Sequence, residues 1–404
     1  MRARTTKRLP PDAEKLVGFS LALYASGSRI EDRFWELKID ELIVKLLRNG
    51  SQPTLDAALD QLQLEHPDAY GALADLIETR SESATLDYAG AQWDTLLIAA
   101  PVLAWTRYSI SSGLLKSAVV DALAAHMSTQ LLGRQARIAV APYLYSIDQL
   151  PRHHVDTWRL NTQLAQAALS GQPPRLPGGD LPEAAPILAD PRFLLAAIAA
   201  PTGAALFHWQ EEENGARIER QQCLEQWRVQ VRGDLAAILP GCEIDCLLPD
   251  AYHAACRDAD EAIRPHMLRT AVSHLTDTLD IAAGDLRAVI GGFGERRIEE
   301  YRIGFTRRAS NDVIYGVVWP LYGREIGEGS AHEDFSVDAP PETPLETVIN
   351  LLKETGVSDF RQHPGLHEPE HCDDCGTPLY LDPMGDVVHA EMPDDAEPTR
   401  PHFH

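Results

Sequence analysis

Leu96-Leu-Ile-Ala-Ala-Pro101 is the stretch around which this chain is organised, because it returns. Ala196-Ala-Ile-Ala-Ala-Pro201 repeats it a hundred residues later, and Val317-Val-Trp-Pro320 echoes it a third time. A short apolar run ending in proline reads as a buried strand. Proline has no N–H for a central ladder, so each proline is expected to mark its strand's end.

The same order follows the first two copies. After Pro101 come a helix at Leu114–Leu132, a strand at 137–141 stopped by Pro142, and a helix at Val155–Ser170. After Pro201 come a helix after Gly215 at Ile218–Leu239, a strand at Cys242–Leu248 stopped by Pro249, and a helix at Ala262–Leu279. Matched order with matched stops points to internal duplication. A hairpin, 85–88 turning at Ala89-Gly-Ala91, leads into the first strand. The third unit is partial. It has a strand at 286–290, a hairpin of 301–305 with 313–319, an acidic loop at 325–344, a helix at 345–354 and a last strand at 357–360.

Ahead of these units the period is helical. Pro10-Pro11-Asp12 opens a first helix, and Ser28-Arg-Ile-Glu31 has the form of a capping box for a second. Two shorter helices follow at 54–64 and 67–79. Their apolar sides need cover, and the sheet is expected to supply it. Between the two main units lies a passage with prolines at 173, 174, 177, 182, 186 and 191, the composition of a linker. The expected fold is α+β. A helical segment (1–82) precedes a first α/β unit (83–171), a linker (172–191), a second unit (192–285) and a third, partial unit (286–362). The units form mixed sheets, and a zinc-ribbon-like knuckle with an acidic tail (363–404) closes the chain.

Composition bounds the function classes. The chain has 404 residues, 44% of them hydrophobic, and no apolar run approaches the ~20 residues of a membrane helix. The basic start, Met1-Arg-Ala-Arg4, leads into prolines and a polar helix instead of a signal-peptide core, so a cytoplasmic protein is expected. The net charge is −24, and residues 325–404 hold nineteen acidic residues against three basic ones. Such a surface repels a phosphate backbone, so no nucleic acid partner is expected. Six cysteines in this length do not make a disulfide scaffold.

Only Cys372 and Cys375 have a spacing with chemical meaning. In His371-Cys-Asp-Asp-Cys375-Gly376 two thiolates can face one metal ion, and the glycine permits a tight turn. A strand–turn–strand follows, turning at Asp382-Pro-Met-Gly385. This is half a zinc ribbon, and the second Cys-x-x-Cys is absent from the sequence. Histidines must complete the set: His389 on the returning strand, with His371 as the fourth ligand ahead of His363 and His367. Redox use fits poorly, because Asp373 and Asp374 are expected to push the thiol pKa up. His367-Glu-Pro-Glu-His371 matches the zinc-protease pattern, but Pro364 and Pro369 exclude the helix that pattern needs.

Weaker features complete the inventory. Gly291-Gly-Phe-Gly294 lacks the rest of a dinucleotide fingerprint and reads as a turn. Arg296, Arg297, Arg302, Arg307 and Arg308 alternate with glutamates and read as a salt-bridged hairpin face. Asp250, His253, Cys256 and Asp258 cluster after the second unit's strand, where α/β sheets place ligands.

Ser26-Gly-Ser-Arg-Ile-Glu-Asp-Arg-Phe-Trp35, Leu96–Pro101, Leu247-Leu-Pro-Asp250, Ser310–Arg324, and the Cys372–Gly376 knuckle with Val388-His-Ala-Glu391 together resemble one uncharacterised proteobacterial family, a domain of unknown function. The resemblance spans nearly the full length and implies a bacterial cytoplasmic protein. It carries no activity to transfer. From the residues, a non-enzymatic binding or regulatory protein with a structural zinc knuckle and a protein partner is expected. The alternative is an enzyme or small-ligand binder between the repeated units, using the loops after Pro142 and Pro249 or the arginines near Arg302.

Overall fold

The computed structural model describes residues 9–176, 181–182, 187–212, 217–321 and 342–393. The basic start, Gly215, most of the acidic loop and the tail after 393 lie outside the described residues.

Four helices come first: α1 (Pro11–Tyr24), α2 (Arg29–Arg48), α3 (Gln52–Glu65) and α4 (Pro67–Glu82). The serine half of the expected capping box forms, Glu31 N–H donating to Ser28 Oγ at 3.3 Å. These helices do not lie on the sheet as expected. Leu16, Ile43, Leu47, Leu62, Leu73 and Ile77 close on one another and on Val155 and Trp158 of α6 (His154–Ser170). Four amphipathic helices can bury one another's stripes, so they need only one further helix as a floor.

The central sheet contains β1 (Ser83–Tyr88), β2 (Ala91–Trp105), β3 (Gly113–Leu114), β4 (Arg137–Ser146), β5 (Ala189–Pro201), β6 (Glu243–Cys246) and β7 (Asp250–Ala251). The order is β1-β2-β5-β4-β3, with β6 and β7 on the same edge of β2 as β1. Every pairing in it is antiparallel. The proline-rich passage therefore connects two neighbours in one sheet, and β5 starts inside it, at Ala189.

Pro201 ends β5 as expected, but two other prolines do not stop their strands. Pro101 lies inside β2 and Pro142 inside β4. The Pro101 carbonyl accepts from Leu247 N–H, so its nitrogen faces the same edge, where pairing breaks between β6 and β7. Pro142 sits at the register shift between Val140 and Leu144, and its carbonyl accepts from Leu115 N–H. Each missing N–H thus falls where no ladder bond is required.

The paired centre, β2 and β5, is covered on both faces. On one face Ile98, Ala100, Val102, Leu194, Ala196 and Ile198 meet α5 (Ser117–Gln130) and α7 (Arg220–Ile238), which supply Leu123, Met127, Trp227 and Val231. On the other face Leu97, Ala99, Leu103, Phe193, Leu195 and Ala197 meet α6 and α8 (Tyr252–Leu279). Period-two alternation between two apolar layers is why these strands read as unbroken apolar runs. The run of alanines leaves room for helices close on both sides.

Helix α8 begins at Tyr252, ten residues before its expected start, and continues through Pro265. Its 28 residues span about 42 Å at 1.5 Å per residue. Its first half packs on the central sheet, and Leu268, Ala271, Val272 and Leu275 pack on the second sheet. Burial at both ends holds the helix through a proline that would break a shorter one.

The second sheet holds β8 (Leu286–Phe293), β9 (Glu300–Arg307), β10 (Val313–Pro320) and β11 (Asp359–His367), in the order β10-β9-β8-β11. Strand β11, which follows α9 (Pro344–Glu354), is parallel to β8. The hairpin β12 (Tyr380–Leu381) and β13 (Val387–Val388) lies over this sheet's other face.

Candidate metal centre

The second sheet has a helix face and a glycine face. In β8 and β9, Leu286, Ala288, Ile290, Ile303 and Phe305 point to α8 and α9. The alternate positions present Gly291 and Gly304 on the opposite face, joined there by Gly316 of β10. These glycines are needed for close approach. A Cβ on Gly316 would sit 2.1 Å from the Tyr380 ring, and one on Gly291 would sit 2.3 Å from Leu381. The stripe is a seat for β12, whose Tyr380 and Leu381 are buried in it.

Arg302 fastens the seat. Its side chain is 1% exposed, it pairs with Glu300 at 2.6 Å, and it lies over the Phe293 ring. Nη1 donates to the carbonyls of Glu370 (2.6 Å) and Leu379 (2.7 Å), which flank the Cys-x-x-Cys turn. The expected salt-bridged surface face is thus a buried anchor at this position. Alternation places Arg302 on the glycine face, and nothing local in the sequence says that this face is covered.

The knuckle turn is held by Cys372 N–H donating to the Thr377 carbonyl (2.9 Å) and Gly376 N–H donating to the Cys372 carbonyl (2.8 Å). Gly376 has φ +72°, a left-handed conformation that glycine adopts without strain. Across the hairpin, β13 brings in His389. One ligand atom each from Cys372, Cys375 and His389 lies within 4.8 Å of the other two, and Cys375 Sγ is 3.2 Å from His389 Nε2. A tetrahedral ion with bonds of about 2.0–2.3 Å asks for separations of this order. Glu391 Oε1 lies 3.4 Å from His389 Nδ1, the position of a carboxylate that orients a metal-ligating imidazole. The donor set and geometry fit a metal ion.

The other expected ligands are elsewhere. His371 bridges Pro378 in extended backbone, so its side chain alternates away from that of Cys372 and it lies outside the cluster. His363 Nε2 contacts the Asp382 carbonyl at 3.0 Å, and His367 packs on Phe293. His367 ends β11, so the protease-like pattern has no helix to act on.

Electrostatics at Cys375 run opposite to expectation. Thr377 at 3.1 Å, and then His389, hold the thiol down to about 6. The thiolate is the ligand form.

The loop cluster of the second unit is a structural seam. Asp250 pairs with Arg220, while His253 and Cys256 are in the first turns of α8, against α4. Ser81 Oγ donates to the Glu78 carbonyl (2.7 Å), so His253 Nε2, 2.8 Å away, donates to Ser81. That polarity is the reverse of a nucleophile and its base. Burial pushes His253 down to about 3 and Cys256 up to about 12. Arg257 pairs with Glu78, and Glu82 accepts from His253 N–H. As for the loop after Pro142, that proline is inside a strand, and Tyr143 and Ser146 belong to β4.

The fold and this cluster define an α+β protein with a Cys2His cluster near its C-terminus that could hold a metal ion. The chain belongs to the family described as protein of unknown function (DUF2863), whose match spans residues 1–403. No curated protein and no solved structure matches the chain. Among the described residues no helix is long and apolar enough to cross a membrane.

Proposed function

We propose that this is a cytoplasmic, non-enzymatic binding protein whose C-terminal segment is stapled to the second sheet by a structural zinc ion. The observation that carries the reading is the convergence of Cys372, Cys375 and His389 on a hairpin seated in a glycine stripe. Two thiolates and an imidazole are a donor set that suits zinc. The ion ties the knuckle to the returning strand, and Arg302 ties both to the sheet. The acidic residues that follow in the sequence are read as the part offered to a protein partner.

We read the two strand–helix–strand–helix runs as a duplication. Leu97 and Ala197, a hundred residues apart in matching copies, lie opposite one another in the β2–β5 pair. The two copies are thereby related by an approximate two-fold axis. Helices α5 and α7 share one face and α6 and α8 the other, which supports the same reading.

The test is elemental analysis of the full chain and of a Cys372→Ser/Cys375→Ser variant. The expected result is about one zinc per chain, lost in the variant together with part of the stability. Protein free of metal after refolding with zinc would overturn the reading.

A further inference from the structure

We infer that Cys372 and Cys375 are a peroxide-sensitive pair, whose oxidation to a disulfide expels the metal ion that ties the knuckle to His389. The release of the ion rests on the zinc reading above; the oxidation of the pair does not. The two sulfurs lie within 4.8 Å of each other, inside the single turn that Gly376 N–H closes on the Cys372 carbonyl. Cys375 is exposed and Cys372 is half-buried beside it. An accessible thiolate with a second cysteine in reach is the arrangement in which a sulfenic acid is resolved to a disulfide instead of oxidising further. Asp373 and Asp374 are exposed as well, so their charges act on the pair through water.

One hydrogen peroxide suffices for the pair. The Cys375 thiolate attacks a peroxide oxygen, the O–O bond breaks, and the departing hydroxide takes a proton to become water. The Cys372 thiolate then attacks the sulfenic sulfur of Cys375. The S–S bond forms, the S–O bond breaks, and a second hydroxide takes a proton to become water. Two thiolates, one peroxide and two protons become one disulfide and two waters, and the sulfurs give up the two electrons that the peroxide gains. A disulfide leaves no thiolate to hold the ion, and His389 alone is a single ligand. The other four cysteines are shielded from this chemistry. Burial pushes the Cys223 and Cys242 thiols up and carries those of Cys246 and Cys256 to about 12, where the reactive thiolate is scarce. Arg302 grips the carbonyls of Glu370 and Leu379, so the oxidised turn keeps its seat on the second sheet while the tie across to His389 is lost.

The experiment treats the zinc-loaded full chain with hydrogen peroxide. Released zinc is read with a colorimetric chelator, remaining thiols by titration after denaturation, and disulfides by peptide mass spectrometry. The expected result is zinc release in step with the loss of two of the six thiols, and a disulfide joining Cys372 to Cys375 in the peptide map. Both thiols and zinc binding are expected to return after treatment with dithiothreitol. The pair is expected to be lost at least ~10-fold faster than the other four thiols. In Cys372→Ser no second thiol resolves the first product, and dimedone is expected to trap a sulfenic acid at Cys375. Zinc retained while the buried thiols oxidise would overturn the inference. So would a pair that ends as sulfinic acids with no disulfide. A chain that holds no zinc before oxidation would defeat the zinc reading and the release with it. The disulfide, sought in that same metal-free chain, then decides the oxidation of the pair on its own.

Discussion

Arg302 and Glu82 show how far one buried ionisable group can govern its surroundings. Arg302 donates to two carbonyls that only the knuckle supplies. Arg302→Met keeps the apolar stem and strands those carbonyls and Glu300. It is expected to destabilise the protein by about 2–4 kcal/mol in denaturant unfolding and to weaken metal retention, because the turn loses its anchor. Glu82 acts in the opposite sense. Burial raises its carboxyl to about 7, against an ordinary value near 4.5. Between those values the folded chain keeps the proton and the unfolded chain releases it, so this group's contribution to stability falls as pH rises through that window. Glu82→Gln cannot ionise and can still accept from His253 N–H. It is expected to raise the thermal midpoint at pH 8, by on the order of 2 kcal/mol at the midpoint, and to leave it unchanged near pH 4. A gain independent of pH would refute the assignment. His253, pushed down by burial, titrates in the opposite direction and is common to both proteins.

At the scale of elements, the glycine stripe is the feature most open to a direct test. Gly316→Val places a branched side chain where the Tyr380 ring lies. The hairpin is expected to lift from the sheet, making residues 363–393 sensitive to limited proteolysis while the central sheet resists. A protease-resistant variant would mean that the hairpin is not seated there. Element existence was largely legible in the sequence: the helices at 155–170 and 345–354 and the hairpin turning at Ala89-Gly90 all form. Element ends were legible at Pro201 and Pro320 but not at Pro101 and Pro142, which lie inside their strands. A proline ends a strand only if its nitrogen faces a partner, and a sequence does not say which edge is paired at that residue. The knuckle was legible as Cys-x-x-Cys with a histidine on the returning strand. That His371 would lie outside the cluster was not, because it depends on which side chains the hairpin points inward.

For the whole molecule, α8 is the member common to both sheets, and the Cys372, Cys375 and His389 cluster belongs to the hairpin seated on the second, so an ion held there would stabilise that sheet. Chelation of the ion is therefore expected to act unevenly. Hydrogen exchange should accelerate in β8–β11 and the C-terminal half of α8, while amides of β2 and β5 remain protected. Uniform loss of protection would mean that the two sheets unfold as one unit. By itself the sequence determined the α+β class, the helical start, the apolar strands and the pair of thiols, because these follow from local periodicity and spacing. Tertiary structure alone decided that the two Ala-Ala-Pro strands pair with each other and that four helices floor themselves on α6. It also decided that a surface-like arginine is the buried clamp of the knuckle. Those outcomes depend on which faces meet across long separations, and burial is a property of both partners together.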